Sequence, residues 1–155
     1  MIAASRLVLD ASVVVKWYVP ERGTPEAIAI RDTIPFLAAP DLLTTELGNA
    51  VWKKLQRGEI SRTDADAIIQ AFVVSRQVAL YSARPLLEPA FAAAADIQHP
   101  IYDALYLALA EILGCPLVTD DQRLIRAVAG TRFAPMVKSL AGHREGVDQS
   151  RTQDL

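Results

Sequence analysis

Four carboxylates, Asp10, Glu46, Asp103 and Asp121, each lie at the end of an apolar run or beside an apolar helical stripe. Asp10 closes "RLVLD", Asp121 follows "PLVTD", Glu46 lies within "LLTTELGNAVWKK", and Asp103 within "IYDALYLALAEIL". On position alone, Asp120 is as good a candidate as Asp121. A carboxylate near apolar surface loses hydration and needs a partner or a cation. Several brought together repel one another, and some would be forced to protonate at neutral pH. A divalent cation removes that cost. With no Cys or His cluster alongside, hard oxygen ligands select Mg²⁺ or Mn²⁺ over zinc. Such an ion keeps waters that can be activated, and it neutralises charge developing on a phosphodiester. The chemistry implied is metal-assisted phosphodiester hydrolysis.

Each carboxylate also has an ordinary reading. Pro100 suits a first helical position, which puts Asp103 about one turn in, where the helix dipole favours an anion. That helix alone leaves both readings open. On a helical wheel Leu43, Leu47, Ala50 and Val51 form one apolar face, with Glu46 at its edge on a stripe with Asn49 and Lys53. The three can point at one place, or they can form a solvated Glu–Lys surface.

The elements that must carry these residues alternate. Strands are expected at 6–10, 36–40, 78–82 and 115–119, with a further edge strand in "FAPMV". Helices are expected at 25–34, 41–58, 85–96 and 101–113, in "DDQRLIRAVAG", and after Ser61, where Asp64 completes a capping-box pattern. Within 101–113 the expected buried stripe is Ile101, Leu105, Leu109, Ile112 and Leu113. "ASVVVKWYVP" is ambiguous, because its β-branched run favours strand while Ser12 could cap a helix. Gly48, in mid-helix, is a cost that a close helix approach would explain. Alternation of this kind predicts an α/β fold with a mostly parallel sheet covered by helices on both faces. In such sheets ligands gather beyond the carboxyl ends of the strands, where Asp10 and Asp121 fall.

Composition narrows the function. At 155 residues, 52% hydrophobic and 22% charged, the chain reads as one globular domain. The expected limits are residues 1–140 for the domain and 141–155 for a polar, flexible tail. No run is long enough to span a bilayer and no signal peptide is evident, so a cytoplasmic location is expected. Cys115 is the only cysteine, which rules out an internal disulfide and a zinc cluster built on cysteine. The net charge is −2, but setting the four carboxylates aside turns the remainder positive, so charge does not exclude RNA. Glycine spacing matches no phosphate-binding loop, and no serine sits in a nucleophile elbow. His99 precedes a proline and reads as a turn residue; His143 falls in the tail. A phosphatase with an aspartyl nucleophile would want an Asp where Ser12 stands, and a receiver domain would want an acidic pair after the first strand.

"VLDASVVVKW" (8–17), "TTELGNAVWK" (44–53) and "YDALYLALAEILGCPLVTDDQRL" (102–124) resemble, in order and spacing, the PIN-domain toxins of the VapC type. The likeness spans roughly residues 6 to 137. It implies a PIN-like fold and settles "SVVVKW" as helix. It implies that Asp10 and Asp103 are metal-binding aspartates, that Glu46 is the glutamate of the second motif, and that Asp121 is the aspartate of a T-x-D motif beside Thr119. Ser12 and Asn49 match supporting polar positions, and Asp120 fills the variable position, where it either takes part or is merely exposed. The resemblance further implies Mg²⁺- or Mn²⁺-dependent RNA cleavage, a homodimer, and inhibition by a cognate VapB-type antitoxin. The rival reading is a catalytically silent PIN-type module that binds protein through Trp17, Tyr18 and Trp52. All three are expected to pack in the core, and all four acidic positions are filled, which favours the nuclease. Lys16, Lys53, Lys54, Arg57, Arg62 and Arg123 are candidates for phosphate contacts or for solvated surface charge.

Overall fold

Apolar residues without alternation mark strands buried on both faces, and the central strands have that character. A computed structural model describes residues 4–142. Its sheet has five strands: β1 (Arg6–Leu9), β2 (Phe36–Pro40), β3 (Val78–Tyr81), β4 (Leu117–Thr119) and β5 (Val137–Ser139). Their order is β3-β2-β1-β4-β5, and every pairing is parallel. Leu7, Val8 and Leu9 of β1 and all three residues of β4 are buried, whereas the edge strands β3 and β5 are only partly covered.

Parallel strands need crossovers, and these supply the helices. β1 is followed by α1 (Ala11–Val14), which tightens into a 3₁₀ turn at Val15–Trp17, and then by α2 (Thr24–Thr33). α3 (Leu42–Gln56) and α4 (Arg62–Val74) link β2 to β3. α5 (Leu87–Ile97) and α6 (Ile101–Leu113) return the chain to β4, and α7 (Gln122–Val128) leads to β5. The strand order steps outward from β1 to β3, then jumps back to the other side of β1. With right-handed crossovers, that reversal puts α1–α4 over one face and α5–α7 over the other.

The valines of "SVVVKW" are helical despite their strand preference, because Val13 and Val14 are fully buried and packing overrides a weak propensity. Ser61 and Asp64 form the expected capping box, each side chain paired with the other's backbone N–H. α6 departs from the stripe expected of it. Ala104 to Ala110 are buried all the way round, enclosed by α5 and strands β1, β2 and β4, while Ile112 beyond them is 60% exposed. "FAPMV" also differs: Ala134–Met136 form a 3₁₀ turn and the edge strand begins at Val137, since Pro135 suits the turn and cannot donate to a ladder. Trp17 and Tyr18 pack against the core, but Trp52 does not; it is 55% exposed on the outer side of α3. Residues 140–142 are still helical, and residues 143–155 of the expected tail, with His143, lie outside the described residues. Among the described residues, no helix is long and apolar enough to cross a membrane.

Gly48 is not explained by a close approach. A Cβ built there meets nothing within 4 Å. Gly48→Ala is therefore expected to stabilise the fold by about 0.5–1 kcal/mol, read as a higher urea midpoint at unchanged m-value. A lower midpoint would mean that the position carries a constraint beyond helix propensity.

Candidate active site

β1 and β4 are neighbours, and between them the chain's progress across the sheet reverses. Crevices beyond the carboxyl ends of strands form at such a switch point. Asp10 leaves β1 there, and Thr119, Asp120 and Asp121 leave β4. Asp10 is only 5% exposed. Its Oδ2 accepts hydrogen bonds from Ser12 Oγ at 2.6 Å and from Thr119 Oγ1 at 2.9 Å. The same two hydroxyls accept from the loop, Asp120 N–H to Ser12 Oγ and Asp121 N–H to Thr119 Oγ1, each at 3.0 Å. The ends of β1 and β4 are thus tied together around one carboxylate.

α3 and α6 bring the other two acids. Glu46 Oε1 accepts from the hydroxyl of Tyr106 at 2.7 Å, and Tyr106 is fully buried in α6. One turn earlier on α6, Asp103 Oδ2 lies 2.5 Å from His99 Nε2. Asp121 caps α7 by accepting from Arg123 N–H at 2.9 Å. Glu46, Asn49, Asp103, Asp121 and Arg123 line one open groove of about 620 Å³. Glu46 and Asn49 also line an adjoining recess of about 410 Å³, together with Ser12, Lys16 and Lys53. The Glu46–Asn49–Lys53 stripe therefore faces this crevice. An apolar hollow of about 240 Å³ near Trp17 and Phe72 holds no carboxylate.

The electrostatics tie the acids into one set. Burial raises the Asp10 carboxyl above its usual range; the Ser12 and Thr119 hydrogen bonds oppose this, and the charges of Asp103 and Asp121 add to it. Burial, reinforced by the charges of Asp10 and Asp103 and opposed by the Tyr106 hydrogen bond, pushes Glu46 up to about 7. Burial and the Glu46 charge push the Tyr106 phenol upward too, so it remains a donor at neutral pH. An all-carboxylate set under mutual repulsion has the chemistry that suits a hard divalent cation. The side chains do not close round one: among the described residues, no three His, Cys, Asp or Glu form a group placed to hold an ion. The hydrogen bonds hold them individually instead, on one oxygen each of Asp10, Asp103 and Glu46.

Glu46, Asp103 and Asp121 thus share one groove with Asn49 on its wall, while Asp10 does not line it but is buried and tied to the Asp121 loop through Ser12 and Thr119. Asp120 differs, pairing with Lys16 at 3.1 Å, and it does not line the groove. Sequence reasoning gave no site role to His99 or Tyr106, and offered Lys16 only as a phosphate contact or a solvated charge. His99, expected in a turn, is paired with Asp103, a contact that its spacing of four residues could have suggested. Tyr106 reads as a core residue, and only its hydroxyl marks it. Lys16 reads as a surface cation, and nothing local shows that it is buried.

A match to the PIN-domain family model covers residues 7–130. The chain belongs to the PIN-domain family. Within that family it is similar to ribonuclease VapC3 of Pyrobaculum aerophilum, 32% identical over 120 residues that cover 77% of this chain and 92% of the relative. Solved PIN-like structures share its shape at lower identity. A crystal structure from Pyrobaculum aerophilum superposes with a TM-score of 0.67 at 22% identity, covering 93% of this chain and 96% of the other. A chain of a toxin–antitoxin complex from Klebsiella pneumoniae gives 0.62 at 15% identity, covering 86% and 97% respectively. The PIN-domain chain therefore falls with the VapC type, as its motifs suggest.

The raised Glu46 pKa fixes the sign of a pH effect. Below its unfolded-state value near 4.5 Glu46 is protonated in both states, so nothing is lost there. As pH rises toward the folded value of about 7, the unfolded chain releases its proton first and the metal-free fold loses stability. In chelator, Glu46→Gln should therefore gain in melting temperature relative to wild type as pH climbs from about 5 to 8. A difference that stays flat across that range would show that Glu46 is not strained by its neighbours.

Proposed function

We propose that this chain is the toxin of a toxin–antitoxin pair and that it hydrolyses RNA phosphodiester bonds in a Mg²⁺- or Mn²⁺-dependent reaction. The observation that carries this reading is the gathering of four carboxylates near the sheet's switch point, where the charges of Asp103 and Asp121 act on Asp10 and those of Asp10 and Asp103 act on Glu46. The name of the Pyrobaculum relative supports the ribonuclease, and the Klebsiella complex supports an antitoxin partner. Asp10, Glu46, Asp103 and Asp121 would hold the cation. When bound, it would polarise the scissile phosphate and provide an activated water.

The chain's own residues do the rest. Ser12 and Thr119 fix the rotamer of Asp10, Tyr106 fixes Glu46, and His99 fixes Asp103. Arg123 on one wall of the groove, with Lys53 and Arg57 at the adjoining recess, can meet phosphates, which positions an RNA without selecting its sequence. Leu87 and Phe91, one turn apart on α5 and both exposed, offer apolar surface for the second copy or the antitoxin that a toxin of this type requires.

Purified protein should cleave RNA with Mn²⁺ or Mg²⁺ and not in EDTA. Asp103→Asn should lower the rate by about tenfold or more, equivalent to at least about 1.4 kcal/mol of transition-state stabilisation. Expression of the wild-type chain alone should slow bacterial growth, and Asp103→Asn should relieve it. Equal toxicity of the two would point to misfolding stress.

A melting series tests Asp10 without relying on activity. If burial and repulsion outweigh its hydrogen bonds, Asp10→Asn in EDTA should melt at or above the wild-type temperature. Excess Mn²⁺ should raise the wild-type melting temperature through preferential binding to the folded state, and should raise the variant's much less. A variant less stable in EDTA with an undiminished metal response would make Asp10 a structural carboxylate only.

A further inference from the structure

Lys16 is a charged residue that should not be where it is. Lysines are almost never buried unless paired, yet the side chain of Lys16 is only 7% exposed. Its ammonium lies 3.0 Å from Glu21 Oε1 and 3.1 Å from Asp120 Oδ2. The second oxygen of Glu21 is taken by Lys54 at 3.2 Å, and Lys54 also meets Glu59 at 3.3 Å. Burial works against the Glu21 charge, but Lys16 and Lys54 outweigh it and hold its carboxyl below the usual range. The lysine stem passes Gly23, whose φ of +90° suits glycine and where a Cβ would stand 3.3 Å from Lys16 Cε. The cation is therefore housed, not merely covered.

Its second partner is next in sequence to Asp121. Thr119 ends β4, and Asp120 and Asp121 form the short turn after it, whose backbone N–H groups donate to Ser12 and Thr119, the two hydroxyls that hold Asp10. We propose that Lys16 is a positioning residue for this site. By clamping Asp120 against Glu21, it fixes the turn after β4 so that Asp121 faces the groove and Thr119 keeps Asp10 in place. Asp120 is then an anchor and not a further acid of the groove. A direct role for Lys16 on RNA phosphate fits less well, although it lines the recess shared with Lys53, because its ammonium is already divided between two carboxylates.

The test has a structural arm and a kinetic arm, and only the kinetic arm rests on the ribonuclease reading. Amide hydrogen exchange of the metal-free protein should be about tenfold faster or more at Asp120 and Asp121 in Lys16→Met, with α6 amides unchanged. Asp120→Asn should give the same increase, the double variant should exchange no faster than either, and Lys16→Arg should restore protection. With RNA and saturating Mn²⁺, Lys16→Met should lower kcat by about tenfold while KM stays within about twofold, and Lys16→Arg should recover kcat. Unchanged exchange at Asp120 and Asp121 overturns the proposal, as do effects of the two substitutions that multiply. A raised KM with intact kcat overturns it as well, and makes Lys16 a phosphate contact. If Lys16→Met does not fold, Asp120→Asn removes the same ion pair from its other end and decides alone. If the wild type does not cleave RNA, the ribonuclease reading fails while the exchange result still judges the clamp.

Discussion

A carboxylate sealed at the end of the central strand is the constraint on which the rest of this structure depends. Asp10 is almost without water, and desolvation is the largest influence on its ionisation. A group so placed must be met by donors, and the nearest available are hydroxyls on the two flanking segments, Ser12 after β1 and Thr119 at the end of β4. Those hydroxyls have further hydrogen-bonding capacity, which the amides of Asp120 and Asp121 use. One buried carboxyl thereby fixes how two strand ends stand relative to each other. It also sets where Asp121 appears.

α6 is the second rigid part. Its turns from Ala104 to Ala110 are buried on every side, which fixes Tyr106 there and seats Asp103, three residues earlier and partly exposed, on the same helix. Asp103 is presented to the groove directly, and Tyr106 acts across it by holding Glu46 of α3. A phenol is a suitable agent here because the same burial that raises the Glu46 carboxyl keeps the phenol protonated. The acids repel one another, and each is held by its own donor. Among the described residues, no three of these groups close upon one another.

Much of this was legible from the chain because it depends on local pattern. The parallel sheet followed from alternating apolar strands and amphipathic helices, and the four acids from their places at strand ends and stripe edges. What was not legible depends on contacts between distant segments. Ile112 fits the helical stripe by spacing, but α6 is enclosed so completely over Ala104–Ala110 that the stripe has no meaning there. Trp52 has the composition of a core residue and stands in solvent. Tyr106 and Lys16 show the opposite error, since sixty residues separate Tyr106 from Glu46 and no local pattern reveals a lysine's burial. Asp120 and Asp121 are adjacent, identical in type, and different in use.

That last pair shows how charge is sorted in this fold. Residues following β4 must turn into α7, and Asp121 caps that helix while facing the groove. Asp120, one residue earlier, points the other way and meets a lysine. If both faced the groove, a further negative charge would join the acids around Glu46, whose carboxyl burial and the charges of Asp10 and Asp103 already raise to about 7. Pairing one of them with a buried cation limits the repulsion without removing an acid from the loop. The net charge of −2 conceals this division. Negative charge is concentrated in one groove, whereas several of the cations, Lys16 and Lys54 among them, are committed to carboxylates outside it.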